Sequence, residues 1–258
     1  MNLLVWNCQG AASRKFRRIL GNFTKVYKPE IVCLLETKVS GAQANDICCR
    51  LGFDEWLRVE AFGFSGGIWV LWNLTILVDV LITHPQFVVA KVSHSGSPCW
   101  FLSFVYGSPN ITLRRELFSE LSRCNVNSMG GWLSVGDYNS VVNSSETSST
   151  SNFSLNRCAD FNHWIFSEGL LDLGFTGSSY TWTRGLDTST FRGARLDRAL
   201  CNTDWRLLFP KADVTHLPRI GSDHNSLLVR TNPTGGGGVL RSFKFNAAWL
   251  TQGFPPVY

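Results

Sequence analysis

Several polar side chains of this 258-residue chain stand where an apolar stretch ends or begins. They are Asn7, Glu36, Tyr106, Asp137 with Asn139, and the run Ser222-Asp223-His224. Side chains at strand ends can project together into a cleft at the edge of a sheet. Singly, each has an ordinary structural explanation, because Asn and Asp favour turns. As a set, they offer the groups that phosphodiester hydrolysis requires.

The oxygen-bearing members of this set can bind a hard cation. Glu36 and Asp223 offer carboxylates and Asn7 an amide oxygen, and Mg²⁺ accepts such ligands while water and substrate phosphate complete its shell. The chain has no Cys-x-x-Cys pair and no cysteine and histidine spacing typical of zinc. The expected cofactor is therefore Mg²⁺, with Mn²⁺ as an alternative metal.

The other members can carry out proton and charge chemistry. Asp137 can act as the base for an attacking water, and His224 can donate to the charge that develops on the phosphorus oxygens. Asp197 can hold His224 in the correct tautomer, as the Asp of a Ser-His-Asp triad does. These groups predict a hydrolytic site.

Short β-type runs dominate the sequence and must position these groups. Their Val, Ile, Leu and aromatic content and their Gly, Asn, Ser or Pro boundaries predict strands over residues 3–6, 31–35, 67–72, 76–82, 87–92, 100–105, 132–135, 180–183 and 226–229. Helices are predicted after a Ser13 cap to residue 27, over 42–51 and 113–124, and after an Asn156 cap to residue 168. This mixture predicts an α/β fold with sheet layers flanked by helices.

Polar and glycine-rich segments mark the expected organisation of the chain. Residues 139–154 are predicted to form a long surface loop. Residues 232–238 contain four consecutive glycines and predict a flexible linker. We therefore expect one domain over residues 1–231, the linker over 232–238, and a C-terminal tail over 239–258 that is too short to build its own core.

Composition excludes several classes of protein. With 44% hydrophobic and 17% charged residues, the chain is too apolar for a disordered protein. No apolar run reaches the ~18 residues of a membrane span. The N-terminus lacks the features of a secretory signal, so we expect an intracellular protein whose eight cysteines are reduced.

Six motifs along the chain carry a resemblance to a known family. They are Trp6-Asn7-Cys8-Gln9-Gly10, Leu35-Glu36-Thr37-Lys38, Val105-Tyr106, Gly136-Asp137-Tyr138-Asn139, Arg195-Leu196-Asp197-Arg198 and Ser222-Asp223-His224. In this order and spacing they resemble the exonuclease/endonuclease/phosphatase superfamily, which has the fold of DNase I. The resemblance implies a four-layer α/β sandwich, in which two facing mixed sheets are flanked by helices.

The same resemblance implies a role for each site residue. It assigns Glu36 as the main metal ligand, with Asn7 and Asp223 near the metal. Asp137 would activate the water and Asn139 would orient it. Tyr106 would contact the scissile phosphate, and His224, paired with Asp197, would stabilise the transition state.

Further segments narrow the resemblance. They are Phe64-Ser65-Gly66-Gly67-Ile68, Ser179-Tyr180-Thr181-Trp182-Thr183, Arg195-Leu196-Asp197-Arg198-Ala199-Leu200, and Phe243-Lys244-Phe245 to Trp249. In these the chain is most similar to the endonuclease domain of plant LINE-type non-LTR retrotransposons. Those domains nick DNA so that an attached reverse transcriptase can prime from the new 3′-OH. The resemblance implies a DNA-nicking endonuclease that acts in the nucleus, with the reverse transcriptase of the parent element absent from this chain.

Two positions depart from the family pattern. Gln9 stands where many relatives have Asp, which alters one route of metal or water contact. Ala194 stands where abasic-site enzymes carry an aromatic residue that lines the sugar pocket. Specificity for abasic DNA is therefore not expected, while phosphodiester hydrolysis itself is unaffected.

Positive charge near the site predicts a DNA-binding surface, because phosphate contacts supply most non-specific affinity. The predicted contacts are Arg14, Lys15, Arg17 and Arg18 on the first helix, and Arg192 and Arg195 near Asp197. The net charge of +5 agrees with a polyanionic partner.

Two other functions stay open from the sequence. Inositol-phosphate phosphatases and sphingomyelinases share these motifs, so the substrate could instead be an inositol phosphate or a phospholipid. A decayed retroelement fragment could fold, and bind nucleic acid, without catalysis. Oligomeric state and target sequence cannot be inferred from these residues.

Overall fold

The computed structural model describes residues 1–233 except 64, 95, 97, 149–154 and 186–189. The predicted linker beyond residue 233 and the predicted tail over 239–258 lie outside the described residues. The last part of the predicted loop over 139–154 also lies outside them.

Seven strands form the first sheet. They are β1 (Asn2–Asn7), β2 (Ile31–Leu35), β3 (Glu55–Phe62), β4 (Ser65–Trp72), β10 (Thr176–Gly177), β14 (Asp213–His216) and β15 (Leu227–Arg230). Their order across the sheet is β10-β14-β15-β1-β2-β4-β3. Strands β1 and β2 are parallel, with Asn7 opposite Leu35. This register places Asn7 beside Glu36, the residue that follows β2.

Six strands form the second sheet. They are β5 (Leu77–His84), β6 (Phe87–Ser93), β7 (Trp100–Tyr106), β8 (Trp132–Asp137), β9 (Leu171–Asp172) and β13 (Asp197–Cys201), in the order β5-β6-β7-β8-β13-β9. Strands β7 and β8 are parallel, with Tyr106 opposite Asp137. Strand β13 runs antiparallel to β8, with Asp197 opposite Asp137. Tyr106, Asp137 and Asp197 therefore share one edge of this sheet.

A two-stranded sheet, five α-helices and two 3-10 helices, Val126–Ser128 and Ser144–Glu146, complete the described part of the fold. The two-stranded sheet pairs β11 (Trp182–Arg184) antiparallel with β12 (Arg192–Ala194). The helices are α1 (Arg14–Tyr27), α2 (Gly41–Cys48), α3 (Ile111–Arg123), α4 (Leu155–Ser167) and α5 (Thr203–Leu208). Ser13 caps α1 as predicted, because its hydroxyl accepts a hydrogen bond from the backbone N–H of Phe16 at 3.0 Å. No helix of the described residues is long and apolar enough to cross a membrane.

Three buried clusters separate the layers. Along β1, Leu3 and Val5 join the cluster between the two sheets, while Leu4 and Trp6 join the cluster beneath α1 and α2. This alternation is the period of two that a strand imposes on its side chains. A third cluster lies between the second sheet and helices α3 and α4. The order helix, sheet, sheet, helix confirms the predicted four-layer α/β sandwich.

The structure differs from the sequence prediction mainly at charged or weakly periodic strands. Strands β3, β9, β10, β12, β13 and β14 and helix α5 are not among the predicted elements, and the strand predicted from residue 180 begins at Trp182. Helix α4 begins at Leu155, so the predicted cap residue Asn156 lies inside the helix. Strand β13 was missed because Arg198 interrupts its apolar pattern, yet this side chain is only 1% exposed. The carboxylates of Glu146 and Asp172 pair with it, which explains how a strand can contain it. None of the eight cysteines, all of which lie among the described residues, forms a disulfide bond.

Candidate active site

A buried histidine lies between two buried carboxylates at the shared edge of the sheets. The Nδ1 atom of His224 lies 2.8 Å from Oδ2 of Asp197, and its Nε2 atom lies 3.8 Å from Oδ2 of Asp137. Ligand-type atoms of these three side chains all lie within 4.8 Å of one another. Sequence reasoning had proposed the pair of His224 with Asp197, and the structure brings both residues together with Asp137.

Asp137 is held in place by amide donors. Its Oδ2 accepts from Nδ2 of Asn7 at 2.9 Å and from Nδ2 of Asn139 at 3.3 Å, and its Oδ1 accepts from the backbone N–H of Asn139 at 2.8 Å. The preceding residue, Gly136, has φ 153°, and a Cβ there would lie 2.0 Å from the carbonyl oxygen of Val105. Only glycine therefore allows β7 and β8 to approach closely enough to fix the carboxylate.

The environment of the three residues shifts their proton affinities. Burial lowers the pKa of His224, but the carboxylates of Asp197 and Asp137 outweigh it and raise the pKa to about 10. Burial, reinforced by the charge of Asp197, raises the pKa of Asp137 above its usual range, and His224 opposes the rise. His224 is thus a stable imidazolium donor at neutral pH, whereas Asp137 has a proton affinity closer to that of a general base.

Glu36 lies at the end of β2 with both carboxylate oxygens engaged. Its Oε1 accepts from the hydroxyl of Tyr106 at 2.7 Å, and its Oε2 lies 3.0 Å from Nζ of Lys38. Burial and the hydrogen bond to Glu36 raise the pKa of Tyr106, so that its hydroxyl stays protonated. Glu36 itself has φ 51°, in the left-handed region that non-glycine residues rarely adopt. Such strain is typical of functional sites, where the surrounding structure enforces it.

Asp223 has one carboxylate oxygen that is free to accept a ligand. Its Oδ2 accepts from Nε1 of Trp182 at 2.9 Å, while its Oδ1 is buried and has no hydrogen-bond partner among the described residues. A buried unpaired carboxylate oxygen is costly unless a proton or cation satisfies it. The carboxylate of Glu36 and the amide oxygen of Asn7 are also oxygen donors of the kind that a hard divalent cation accepts.

His224 does not fit the role of a metal ligand. Both of its ring nitrogens face carboxylates, which favours the doubly protonated ring. An imidazolium has no lone pair to give to a metal. The cluster of Asp137, Asp197 and His224 is therefore better suited to proton transfer and charge stabilisation than to holding an ion on the histidine.

Two positioning residues were not assigned by sequence reasoning. The hydroxyl oxygen of Thr181 accepts the backbone N–H groups of Leu196 and Asp197, each at 2.9 Å. The hydroxyl of Ser222 donates to the backbone carbonyl of Asn7 at 2.7 Å and accepts the backbone N–H of His224 at 3.1 Å. Both residues lie inside motifs that carry the family resemblance, and their position in these motifs is the sequence feature that could have indicated a role.

Arg195, one of the predicted DNA contacts, instead lies inside an ion-pair network. Its side chain is 9% exposed and forms ion pairs with Glu146 at 3.0 Å and Asp172 at 2.8 Å. Arg198 pairs with the same two carboxylates, at 2.5 and 2.9 Å. Because two carboxylates already pair with this buried guanidinium, it is not available to contact a DNA phosphate. The two arginines and the two carboxylates form an ion-pair network that stabilises the start of β13 around Asp197.

The other predicted DNA contacts are accessible. Arg14, Lys15, Arg18 and Arg192 are exposed, and Arg17 is half-buried. Helix α1 packs against the loop that carries His224, because a Cβ on Gly221 would lie 2.3 Å from Ile19 and 3.8 Å from the side chain of Lys15. The basic start of α1 therefore lies beside the loop that delivers His224 to the site.

The fold and the site define a member of a known class of phosphoesterases. Residues 4–224 match the model of the endonuclease/exonuclease/phosphatase family. The match spans most of the chain and every candidate site residue, so the chain belongs to this family. No curated protein sequence matches the chain.

Solved structures with the same fold include three DNA enzymes. They are the endonuclease domain of TRAS1, a telomere-specific non-LTR retrotransposon (15% identity, TM-score 0.65, 90% of this chain and 99% of that one); the 3′ phosphatase NExo from Neisseria bound to a product DNA hairpin (16%, 0.67, 90% and 100%); and the AP endonuclease LMAP from Leishmania major (17%, 0.68, 88% and 86%). At these identities the likeness shows that the fold is shared, and it does not identify the substrate of this protein.

Proposed function

We propose that this protein is a divalent-metal-dependent endonuclease that hydrolyses phosphodiester bonds of DNA, with Mg²⁺ as its metal and Mn²⁺ as an alternative. The observation that carries the proposal is the buried arrangement of His224 between Asp197 and Asp137. It lies at the same sheet edge as the Tyr106 and Glu36 pair. The cluster supplies a protonated donor and a carboxylate base, and the sheet edge that it shares with Tyr106 adds the carboxylate oxygens of Glu36.

Each of the three buried residues has a distinct task in this proposal. Asp137, held by Asn7 and Asn139, aligns the attacking water and takes its proton. The imidazolium of His224 donates to a non-bridging oxygen as negative charge develops there. Asp197 keeps the ring oriented and charged through the 2.8 Å contact at Nδ1. Asn139 also donates to the backbone carbonyl of Gly107 at 2.8 Å, so its own side chain is fixed.

The metal would be held by the oxygen atoms of Glu36, Asp223 and Asn7. When bound, a hard divalent cation polarises the scissile phosphate and neutralises charge on it. Tyr106 holds one oxygen of Glu36 and leaves the direction of that carboxylate fixed. Its protonated hydroxyl can also donate to a phosphate oxygen.

DNA is favoured as the substrate by the charge beside the site. The exposed cations at the start of α1 lie next to the loop that carries His224 and can contact phosphates on either side of the reactive one. Ala194 occupies the position of the aromatic wall found in abasic-site enzymes. We therefore propose recognition through phosphate contacts and duplex shape, without an abasic-sugar pocket.

We further propose that the protein derives from a LINE-type retrotransposon. The segment Ser179–Thr183 and the Arg195–Leu200 segment support this origin, and so does the fold shared with the TRAS1 endonuclease domain. In that setting the nicked 3′-OH would serve a reverse transcriptase of the parent element, and the site of action would be the nucleus. Cell fractionation of the tagged protein would test the location.

Nicking of supercoiled plasmid tests the proposed function. The protein is incubated with plasmid in Mg²⁺, in Mn²⁺ and in excess EDTA, and a His224→Ala variant purified in parallel controls for contaminating nuclease. We expect open-circular product with either metal, none in EDTA, and strongly reduced product from the variant.

The same protein samples are tested on an inositol phosphate and on sphingomyelin. Turnover of either compound with inert plasmid would replace the endonuclease proposal with the phosphatase alternative. Inertness toward all substrates, from a folded protein, would favour the decayed fragment.

A further inference from the structure

The ammonium group of Lys38 forms an ion pair with Glu36, the carboxylate that the proposed function assigns as a metal ligand. Nζ of Lys38 lies 3.0 Å from Oε2 of Glu36 and donates to Oε1 of Gln9 at 2.5 Å. The side chain of Lys38 is 30% exposed and that of Glu36 only 12%. Because Tyr106 donates to the other oxygen of Glu36, both oxygens of this carboxylate have a partner.

The backbone around this contact is rigid and strained. Gln9, Glu36 and Lys38 have φ values of 52°, 51° and 54°, all in the left-handed region. Backbone hydrogen bonds from Gly10 to the carbonyl of Glu36 at 2.8 Å and from Lys38 to that of Gly66 at 3.1 Å tie the two loops to the sheet. Left-handed non-glycine residues persist only where the surroundings enforce them. The Lys38 Cα is therefore fixed, and only its flexible stem can move the ammonium group.

Gln9 makes this contact different from an ordinary ion-pair network. Its amide oxygen accepts from the ammonium group without adding negative charge. Lys38 therefore has a single carboxylate partner in the contacts that the structure gives. An ammonium group shared between one carboxylate and one neutral amide is attracted by less negative charge than one shared between two carboxylates, so it can be displaced more easily.

We propose that Lys38 is an exchangeable counter-ion that competes with the metal for Glu36. This inference rests on the proposed function, because it takes Glu36 as a metal ligand. In the metal-free protein Lys38 neutralises Glu36, and loading of the site requires the ammonium group to leave Oε2. Two cations beside one carboxylate repel each other. Lys38 thereby weakens metal binding and keeps the free protein unloaded at low metal concentration.

Metal affinity without DNA tests the proposal. Mn²⁺ binding is followed by electron paramagnetic resonance, and Mg²⁺ binding by calorimetry, for the wild type, Lys38→Met and Lys38→Arg. We expect Lys38→Met to bind Mn²⁺ ~3- to 10-fold more tightly, since it loses both the competition and the repulsion. Lys38→Arg, which keeps the charge, should stay within about twofold of the wild type. Unchanged or weaker binding by Lys38→Met would overturn the proposal.

A second measurement uses the wild-type protein and needs no variant to fold. The rate at which an amine-reactive ester modifies Lys38 is measured by mass spectrometry in EDTA and in saturating Mg²⁺, with exposed Lys25 as the internal control. We expect faster modification of Lys38 in Mg²⁺, because the ammonium group is released from Glu36, and no change at Lys25. An equal rate at Lys38 in both conditions contradicts the proposal.

Failure of the proposed function gives a different pattern. If Glu36→Gln binds metal as tightly as the wild type, Glu36 is not a ligand and the metal assignment itself is wrong. If Glu36→Gln weakens binding while Lys38→Met leaves it unchanged, the metal site stands and only the role of Lys38 fails.

Discussion

Replacing Asp197 with Asn isolates the charge that holds His224 protonated. Asn has the same shape, so the hydrogen bonds that the backbone N–H groups of Leu196 and Asp197 donate to the Thr181 hydroxyl oxygen, and the packing of β13, can be kept. What is lost is the negative charge 2.8 Å from Nδ1. Hydrogen bonds to charged groups contribute about 1.5–3 kcal/mol and neutral ones about 0.5–1.5. The difference of about 1–2 kcal/mol predicts that the pKa of His224 falls by roughly 0.7 to 1.5.

The direction of the pH effects follows from the raised pKa. The folded-state pKa of His224 is about 10 against an ordinary value of 6.5, so its contribution to stability is complete below pH 6.5 and is lost as pH rises toward 10. The alkaline limb of the cleavage rate should follow the same proton. In Asp197→Asn both the loss of stability and the alkaline limb should end at lower pH.

The assay combines three readouts. The imidazole pKa is measured by nuclear magnetic resonance in EDTA, the free energy of unfolding by urea titration from pH 6 to 10, and the nicking rate over the same range. At pH 7.5 the imidazole of the variant stays mostly protonated, so we expect a rate within about tenfold of the wild type and a difference that grows as pH rises. Asp213→Asn, which removes the half-exposed partner of Arg230 on β14, is the matched control and should leave the alkaline limb in place. An unchanged imidazole pKa and an unchanged alkaline limb in Asp197→Asn would refute the reasoning.

Three further predictions concern the metal and the DNA. Glu36→Gln should raise the Mg²⁺ concentration for half-maximal nicking by about tenfold or more, because one carboxylate ligand is lost; nicking that persists in excess EDTA would contradict the assignment. Changing Arg14 and Arg18 to Ala should reduce the slope of log affinity against log salt by roughly two, measured by fluorescence anisotropy, and a slope equal to that of the wild type would exclude both side chains from phosphate contact. Intact duplex should be cut about as well as the same duplex with one abasic site, given Ala194; a strong abasic preference at matched salt would return the protein to the repair enzymes.

The four-layer fold was predictable because its central strands are apolar throughout. Residues 31–35 and 100–105 are buried along their length, so composition alone marks them. The candidate site was predictable for a related reason. Asn7, Glu36, Tyr106 and Asp137 follow strands of this kind, and parallel neighbours bring such ends together.

Other features depend on partners that are distant in sequence. Strand β13 contains Arg198, whose burial is possible only because Glu146 and Asp172, 52 and 26 residues away, supply its counter-charges. No local pattern carries that information. The same network explains the error at Arg195, which looked like a DNA contact beside Asp197 and is instead satisfied inside the protein.

The contact between Lys38 and Glu36 depends on a local backbone geometry that the sequence does not reveal. The segment Glu36-Thr37-Lys38 is part of a recognised motif, but Glu36 and Lys38 both have left-handed backbone conformations, and this geometry sets how their side chains meet. A left-handed φ at a non-glycine residue could not be predicted from these residue types.

Single-turnover cleavage of a labelled DNA duplex in Mg²⁺ tests the central claim most directly, comparing the wild type with Asp137→Asn while duplex affinity is measured separately. The account predicts a rate lowered by ~10²-fold or more, because the base for the attacking water is lost, with an affinity close to that of the wild type. Near-normal cleavage by a folded Asp137→Asn would contradict it and would place the chemistry elsewhere in the molecule.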